Sequence, residues 1–159
     1  MDTTVERMRW ESAYRSAFPS VYRGLLAVGA RPDEAEDALH DAFLKGLERG
    51  ADRPVTSVDG WIFVVSVRAW RARRIRERVF LPWTVFTDRE VPSPADSAPD
   101  VLAALWKLPL RQRQIVVARY VVGLSQDETA QLLRIARGTV SATTTQAIAA
   151  LRRSMEVEQ

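Results

Sequence analysis

Apolar residues along this chain recur every three to four positions, and no segment alternates convincingly in the manner of a strand. Val5, Met8, Tyr14 and Phe18 trace a first helix that Pro19 is expected to interrupt, since proline has no N–H to donate and its ring crowds the preceding turn. Val21, Tyr22, Leu25 and Leu26 trace a short second helix that runs out near Gly29. Pro32 opens a third at the helical position where a missing N–H does no harm, and Asp33, Glu34 and Glu36 lie in its first turn at the positive end of the helix dipole. That helix passes through Leu39, Phe43 and Leu47 and stops at Gly50. Ser57 is a plausible N-cap for a helix over residues 58–80. Trp61, Val65, Ala69, Ala72, Ile75 and Val79 mark its apolar face, with Trp70 off that stripe, and Arg68, Arg71, Arg74 and Arg78 mark another face.

Residues 81–100 break the pattern. Pro82, Pro92, Pro94 and Pro99, with Asp88, Glu90, Asp96 and Asp100, exclude a continuous helix and read as an acidic linker. Trp83, Val85 and Phe86 at its start suit packing on the preceding domain or on a partner. Helical periodicity then returns over Val101–Leu108, breaks at Pro109 and resumes over Arg111–Val122 to Gly123. Ser125 and Glu128 form a capping box, in which the serine bonds forward and the glutamate reaches back. The helix they open carries Thr129, Ala130, Leu132 and Leu133, and a last helix runs from about Arg137 to Met155. The expected fold is all-α: a helical domain over residues 1–81, a linker over 82–100, and a second helical domain over 101–159.

Composition narrows the chemistry. With no cysteine and one histidine, His40, there is almost no raw material for metal, redox or imidazole catalysis, and no nucleophile elbow or phosphate loop occurs. No catalytic residue, metal, cofactor or small-molecule substrate is expected. No apolar run approaches the roughly 20 residues of a membrane span, and the N-terminal residues hold no signal-peptide core, so a cytoplasmic protein without membrane insertion is expected. The net charge of +3 is unevenly spread: −3 over residues 1–60, +5 over 61–82, −3 over 83–100 and +4 over 101–159. Two basic segments divided by an acidic one suggest two contacts with a polyanion, although for any single arginine cluster a solvated helix face is the better reading.

Residues 123–153 have helix-turn-helix form, with Ala130 allowing close approach, Ile135 turning into the core, and Val140, Ala147 and Leu151 as the buried stripe of the second helix. The N-terminal part of that helix is the part that would enter a major groove. The run LPLRQRQIVVARYVVGLSQDETAQLLRIARGTVSATTTQAIAALR resembles region 4 of extracytoplasmic-function sigma factors, with their LPxRQR opening, RY helix end, GLS turn and GTV. RPDEAEDALHDAFLKGL and the Trp61 helix with its trailing arginines are similar to region 2 of the same family.

That resemblance implies a transcription initiation factor and not an enzyme. The first domain would bind core RNA polymerase through Asp37, His40, Asp41 and Leu44. Trp61, Arg68, Arg71 and Arg74 would hold and help melt the downstream (−10) element of promoter DNA, with arginines on phosphates and aromatic groups under unstacked bases. The second domain would read the upstream (−35) element with Arg137, Thr139, Ser141, Thr143, Thr144 and Gln146, while Leu108 and Arg113 face the polymerase flap. The family also implies a possible anti-sigma partner. The sequence departs from the family in its recognition helix, which carries no basic residue between Arg137 and Arg152 and has Thr144 where a leucine is usual. His40 stands where glutamine is common, and Arg68 and Ala72 where asparagine and aspartate often occur. Two further readings stay open: a sigma-like interaction partner or decoy with impaired DNA reading, and a stand-alone helix-turn-helix regulator.

Overall fold

The computed structural model describes residues 3–49, 57–80 and 100–157, without the side chains of 78–80 and 100. Helix α1 (Thr3–Val28) passes straight through Pro19, against the expected break. Ala17, Val21, Leu25 and Val28 are fully buried on its inner face, while Pro19 and Arg15 are exposed, so the carbonyl that proline leaves unpaired faces water. Burying three such aliphatic side chains contributes about 1.5–3 kcal/mol each, which outweighs the roughly 3 kcal/mol of an interior proline. The helix closes in a left-handed Gly29 (φ 113°), with Ala30 N–H donating to Leu25 O at 3.0 Å and Gly29 N–H to Leu26 O at 3.1 Å.

Helix α2 (Pro32–Arg49) begins at the expected proline, and the Glu34 carboxylate accepts the Arg31 N–H at 2.9 Å. Its buried face is mostly alanine (Ala35, Ala38, Leu39, Ala42), which lets it lie close to its neighbours. Gly46 shows how close: a Cβ there would stand 2.0 Å from the Trp10 ring. Trp10 is fixed in that place by an indole N–H donated to Phe43 O at 3.1 Å, a stacked Phe43 and an edge-on Trp61.

Helix α3 (Val58–Phe80) is capped as expected, Ser57 Oγ accepting the Gly60 N–H at 3.1 Å. Its buried arc is rotated from the expected one. Ile62, Phe63, Ser66, Val67 and Trp70 are buried alongside Ala69, whereas Trp61 and Val65 are half-buried and Ile75 is exposed; the side chain of Val79 lies outside the described residues. The cause is tertiary: α3 packs against α1 and α2 along one side and meets the second half of the chain near its start, so more than one stripe is covered. Trp70 is therefore a core residue, contrary to its expected place off the stripe.

The second half comprises α4 (Asp100–Lys107), α5 (Leu110–Val117), α6 (Gln126–Leu133) and α7 (Arg137–Val157). Helix α5 widens into a π turn over Ala118–Val122 before the left-handed Gly123 (φ 87°). The capping box is present with both bonds, Glu128 N–H to Ser125 Oγ at 3.0 Å and Ser125 N–H to Glu128 Oε2 at 2.8 Å. No strand occurs among the described residues. The expected linker, with Trp83, Val85 and Phe86, lies almost wholly outside the described residues, as does the expected stop at Gly50.

The halves do not keep separate cores. Val21, Leu25, Val28, Ile62 and Phe63 from the first share one buried cluster with Leu105, Leu108, Val117, Val122 and Leu124 from the second. A small satellite cluster of Ile115, Ala130 and Val140 holds the helix-turn-helix together.

Candidate nucleic-acid interface

Helices α6 and α7 form the expected helix-turn-helix. Arg134 closes α6 in the left-handed region (φ 55°), and Ile135 N–H donates to Ala130 O at 3.0 Å, which turns Ile135 onto the satellite cluster. On α7, Arg137, Thr139, Ser141 and Gln146 are exposed and Thr143 is half-buried. Thr144 is buried, and its hydroxyl donates back to Val140 O at 2.7 Å. That bond answers the desolvation of a core hydroxyl and uses its one proton. Thr145, exposed, likewise returns its hydroxyl to Ser141 O at 3.0 Å. The single guanidinium at the front of the helix, Arg137, lies 3.4 Å from Asp127, an exposed pair that water and salt compete with readily.

Beside this face lies a groove of about 370 Å³ lined by Arg119, Tyr120, Gln126, Ser141, Thr145 and Arg152 among others. Arg119 donates to Leu124 O at 3.1 Å and sits 5.8 Å from the centre of the Tyr120 ring, while Tyr120 stands largely in water. The groove sets two arginines next to hydroxyls of the recognition helix. Sequence reasoning gave Arg119, Tyr120 and Arg152 no role. The RY pair was visible, but the π turn that carries it has no periodic signature, and Arg152 sits several turns beyond the expected reading residues.

The second basic face is on α3. Arg68 and Arg71 are exposed one turn apart, whereas Arg74 lies 5.1 Å over the Trp70 ring and 3.9 Å from Glu34. Glu34 also accepts the Trp70 indole N–H at 3.2 Å, so one carboxylate ties the start of α2 to the middle of α3. Trp61, for which the sequence favours core packing over a place beneath bases, is half-buried, with Arg49 5.4 Å over its ring. On α2, Asp37, His40 and Leu44 are exposed and Asp41 is half-buried. Arg73, which sequence reasoning passed over, bridges Asp37 at 3.3 Å and Asp41 at 2.8 Å.

Leu108 and Arg113 are placed differently again. Leu108 is buried in the shared core. Arg113 donates to four carbonyls: Val28 at 2.6 Å, Trp106 and Leu108 at 2.8 Å, and Leu105 at 3.0 Å. Burial first, and the like charge of Arg74 second, pull its guanidinium below the ordinary arginine range. Among the described residues no group of three or more His, Asp or Glu could hold a metal ion, and no helix is long and apolar enough to cross a membrane.

Comparison with known proteins agrees with this architecture. The family model for sigma-70, region 4, matches residues 104–153. The chain is 31% identical over 153 residues to the ECF RNA polymerase sigma factor SigM of Mycobacterium tuberculosis, a match spanning 93% of this chain and 78% of that protein. It is 27% identical over 159 residues to the RNA polymerase sigma-E factor of Streptomyces avermitilis, across 95% of this chain and 87% of that one. Among solved structures, the sigma factor RpoE in complex with the anti-sigma factor NepR from Bartonella quintana is similar with a TM-score of 0.76 at 20% identity, covering 95% of this chain and 99% of that chain. CnrH in complex with the cytosolic domain of CnrY is similar with a TM-score of 0.63 at 19% identity, covering 99% and 100%.

Proposed function

Since the chain belongs to the ECF RNA polymerase sigma factors, we propose that it binds core polymerase in the cytoplasm and directs initiation at promoters through two separate basic surfaces. The observation that carries this reading is the 31% identity to SigM across 93% of the chain, which takes in both halves and so disfavours a stand-alone helix-turn-helix regulator. Two small domains, 1–81 and 101–159, would each bring one surface to DNA. Arg68 and Arg71, free in water on α3, would neutralise phosphates around the downstream element, while Arg74 and Trp61 would act mainly as packing beneath them. Arg137, Thr139, Ser141 and Gln146 would face the upstream element, with Arg119, Tyr120 and Arg152 supplying the backbone contacts that the hydroxyl-rich helix cannot. Asp37, His40 and Leu44 form an exposed patch suited to polymerase, with Asp41 at its edge held by Arg73. An anti-sigma protein is a fitting partner, since the structurally similar sigma factor RpoE was solved in complex with the anti-sigma factor NepR.

The test is transcription by purified core polymerase with this chain as its only sigma factor, with starts mapped on fragmented genomic DNA. Discrete starts sharing a sequence element are the expected result. Binding to core without any start would instead favour a decoy, a reading motivated by the absence of basic groups on α7 between Arg137 and Arg152. Failure to bind core at all would overturn both.

A further inference from the structure

In the major groove each base shows its own pattern. Guanine offers two acceptors, adenine an acceptor beside an N–H donor, and thymine an acceptor beside a methyl group. A helix can distinguish them only by what its exposed side chains hold out. On α7 that set is rich in methyl groups. Ala142 and Thr145 lie one turn apart and are both exposed. Thr145 gives its hydroxyl proton to Ser141 O at 3.0 Å, so what it still offers is a methyl group and an oxygen that can only accept. Ahead of them a Cβ on Gly138 would meet nothing within 4 Å, so the front of the helix is open to a close approach. Past them Ile148 and Ala149 continue the aliphatic flank along the groove beside Tyr120. Gln146, also exposed, carries the amide that pairs with adenine N6 and N7. The cation at the front of the helix, Arg137, is the side-chain type that reads guanine, and it is shared between Asp127 and Gln126, each 3.4 Å away.

We infer that α7 reads its DNA element as A·T pairs, with the methyl groups of Ala142 and Thr145 against thymine C5-methyl groups and the Gln146 amide on adenine. The inference rests on the sigma-factor reading for the presence of promoter DNA at α7, and names the base chemistry that this helix selects there. Hydroxyl contacts discriminate little, because serine and threonine serve several bases. A G·C pair could even satisfy the Thr145 oxygen through cytosine N4. It has no methyl group to bring, so the apolar contact is the discriminating one. Two methyl groups that meet in the groove leave water together, and each one removed should weaken binding about fourfold. Arg119 and Arg152, on the flank, are left for phosphates, which position the helix and carry no base preference.

The test uses holoenzyme assembled from core polymerase and the full chain, with a duplex library randomised across the upstream segment. Bound duplexes are expected to be enriched in A·T pairs, with guanine fixed at no more than the one position that Arg137 reaches. Uracil in place of thymine removes only the C5-methyl group, and should weaken binding about fourfold at each contacted position. Thr145→Ser keeps the hydroxyl and loses the methyl group, so it should cease to distinguish thymine from uracil at one of those positions. Thr145→Val loses the hydroxyl and should still distinguish them. Equal binding of thymine and uracil duplexes by the wild-type chain overturns the inference, as does enrichment of guanine at two or more positions. A holoenzyme that forms but selects no upstream sequence overturns it too, and leaves the sigma-factor reading standing. If no holoenzyme forms, that reading fails, and selection by the free chain from the same library decides the inference by the same criteria.

Discussion

Arg113 is the residue whose loss should be felt most widely, because four carbonyls from two helix ends converge on it. Arg113→Met keeps the length and apolar stem and removes every donor. A buried carbonyl left without its partner costs about 1–3 kcal/mol. Leu105 O also accepts the Leu108 N–H, so three carbonyls lose their partner; the site is only half-buried and the lower figure applies, giving roughly 3 kcal/mol for the set. Losing the cation at two helix C-termini adds about 0.3–1 kcal/mol each. Against this, the unfavourable burial of the guanidinium, visible in its lowered pKa, is relieved and offsets part of the loss. The net expectation is a loss of about 2–4 kcal/mol, which for a chain of this size lowers Tm by roughly 4–16 °C. Arg113→Lys keeps the charge without the planar fork and should recover less than half of the loss. Thermal unfolding followed by circular dichroism at neutral pH measures both. A Tm within 1 °C of wild type for Arg113→Met would refute the reasoning, for it would mean that water serves these carbonyls as well as the arginine does.

Three other outcomes follow from the first half. Glu34→Ala should cost about 2–3 kcal/mol in denaturant unfolding, since the Trp70 indole and the Arg31 N–H lose a shared acceptor; Glu34→Gln, which can still accept, should keep most of the stability, and equal losses would discount the hydrogen bonds. Gly46→Ala should destabilise by about 1–3 kcal/mol, reversing the usual helical gain of alanine over glycine, because the Trp10 ring occupies the space; a stabilised protein would show that Trp10 can move. Burial raises the Tyr14 phenol above its ordinary 10.0. The unfolded chain therefore ionises first as pH rises, so the stability Tyr14 contributes is complete below about pH 10 and is lost through the folded pKa. Tyr14→Phe should flatten that alkaline limb, and an unchanged limb would assign it to other groups.

What the sequence made legible was mostly local. Ser57, Pro32 and the Ser125–Glu128 box all act within one turn of themselves, and each stands where its residue type predicts. Pro19 misled because the packing of α1 outweighs a local break, and Trp70 because a helix covered on several sides has no single stripe. Thr144 shows the same limit on a smaller scale: its type suits a reading helix, but its angular position, shared with Val140 and Ala147, puts it inside. The π turn bearing Arg119 and Tyr120 left no trace in the spacing of apolar residues. Least legible was the joining of the halves, since Trp106 and Arg113 find their acceptors 79 and 85 residues away.

Those separations also set an order of events in time. A ribosome adds about 5–20 residues each second, so the end of α1 is made several seconds before the groups that will cover it. During that interval Ala27 and Val28 have only water for their carbonyls, because Trp106 and Arg113 do not yet exist. Closing a loop of this length carries an entropic penalty that grows only slowly with chain length, so the delay is set by synthesis and not by the search. The newborn chain thus passes through a period in which the end of α1 is bare and the core it shares with the second half is incomplete.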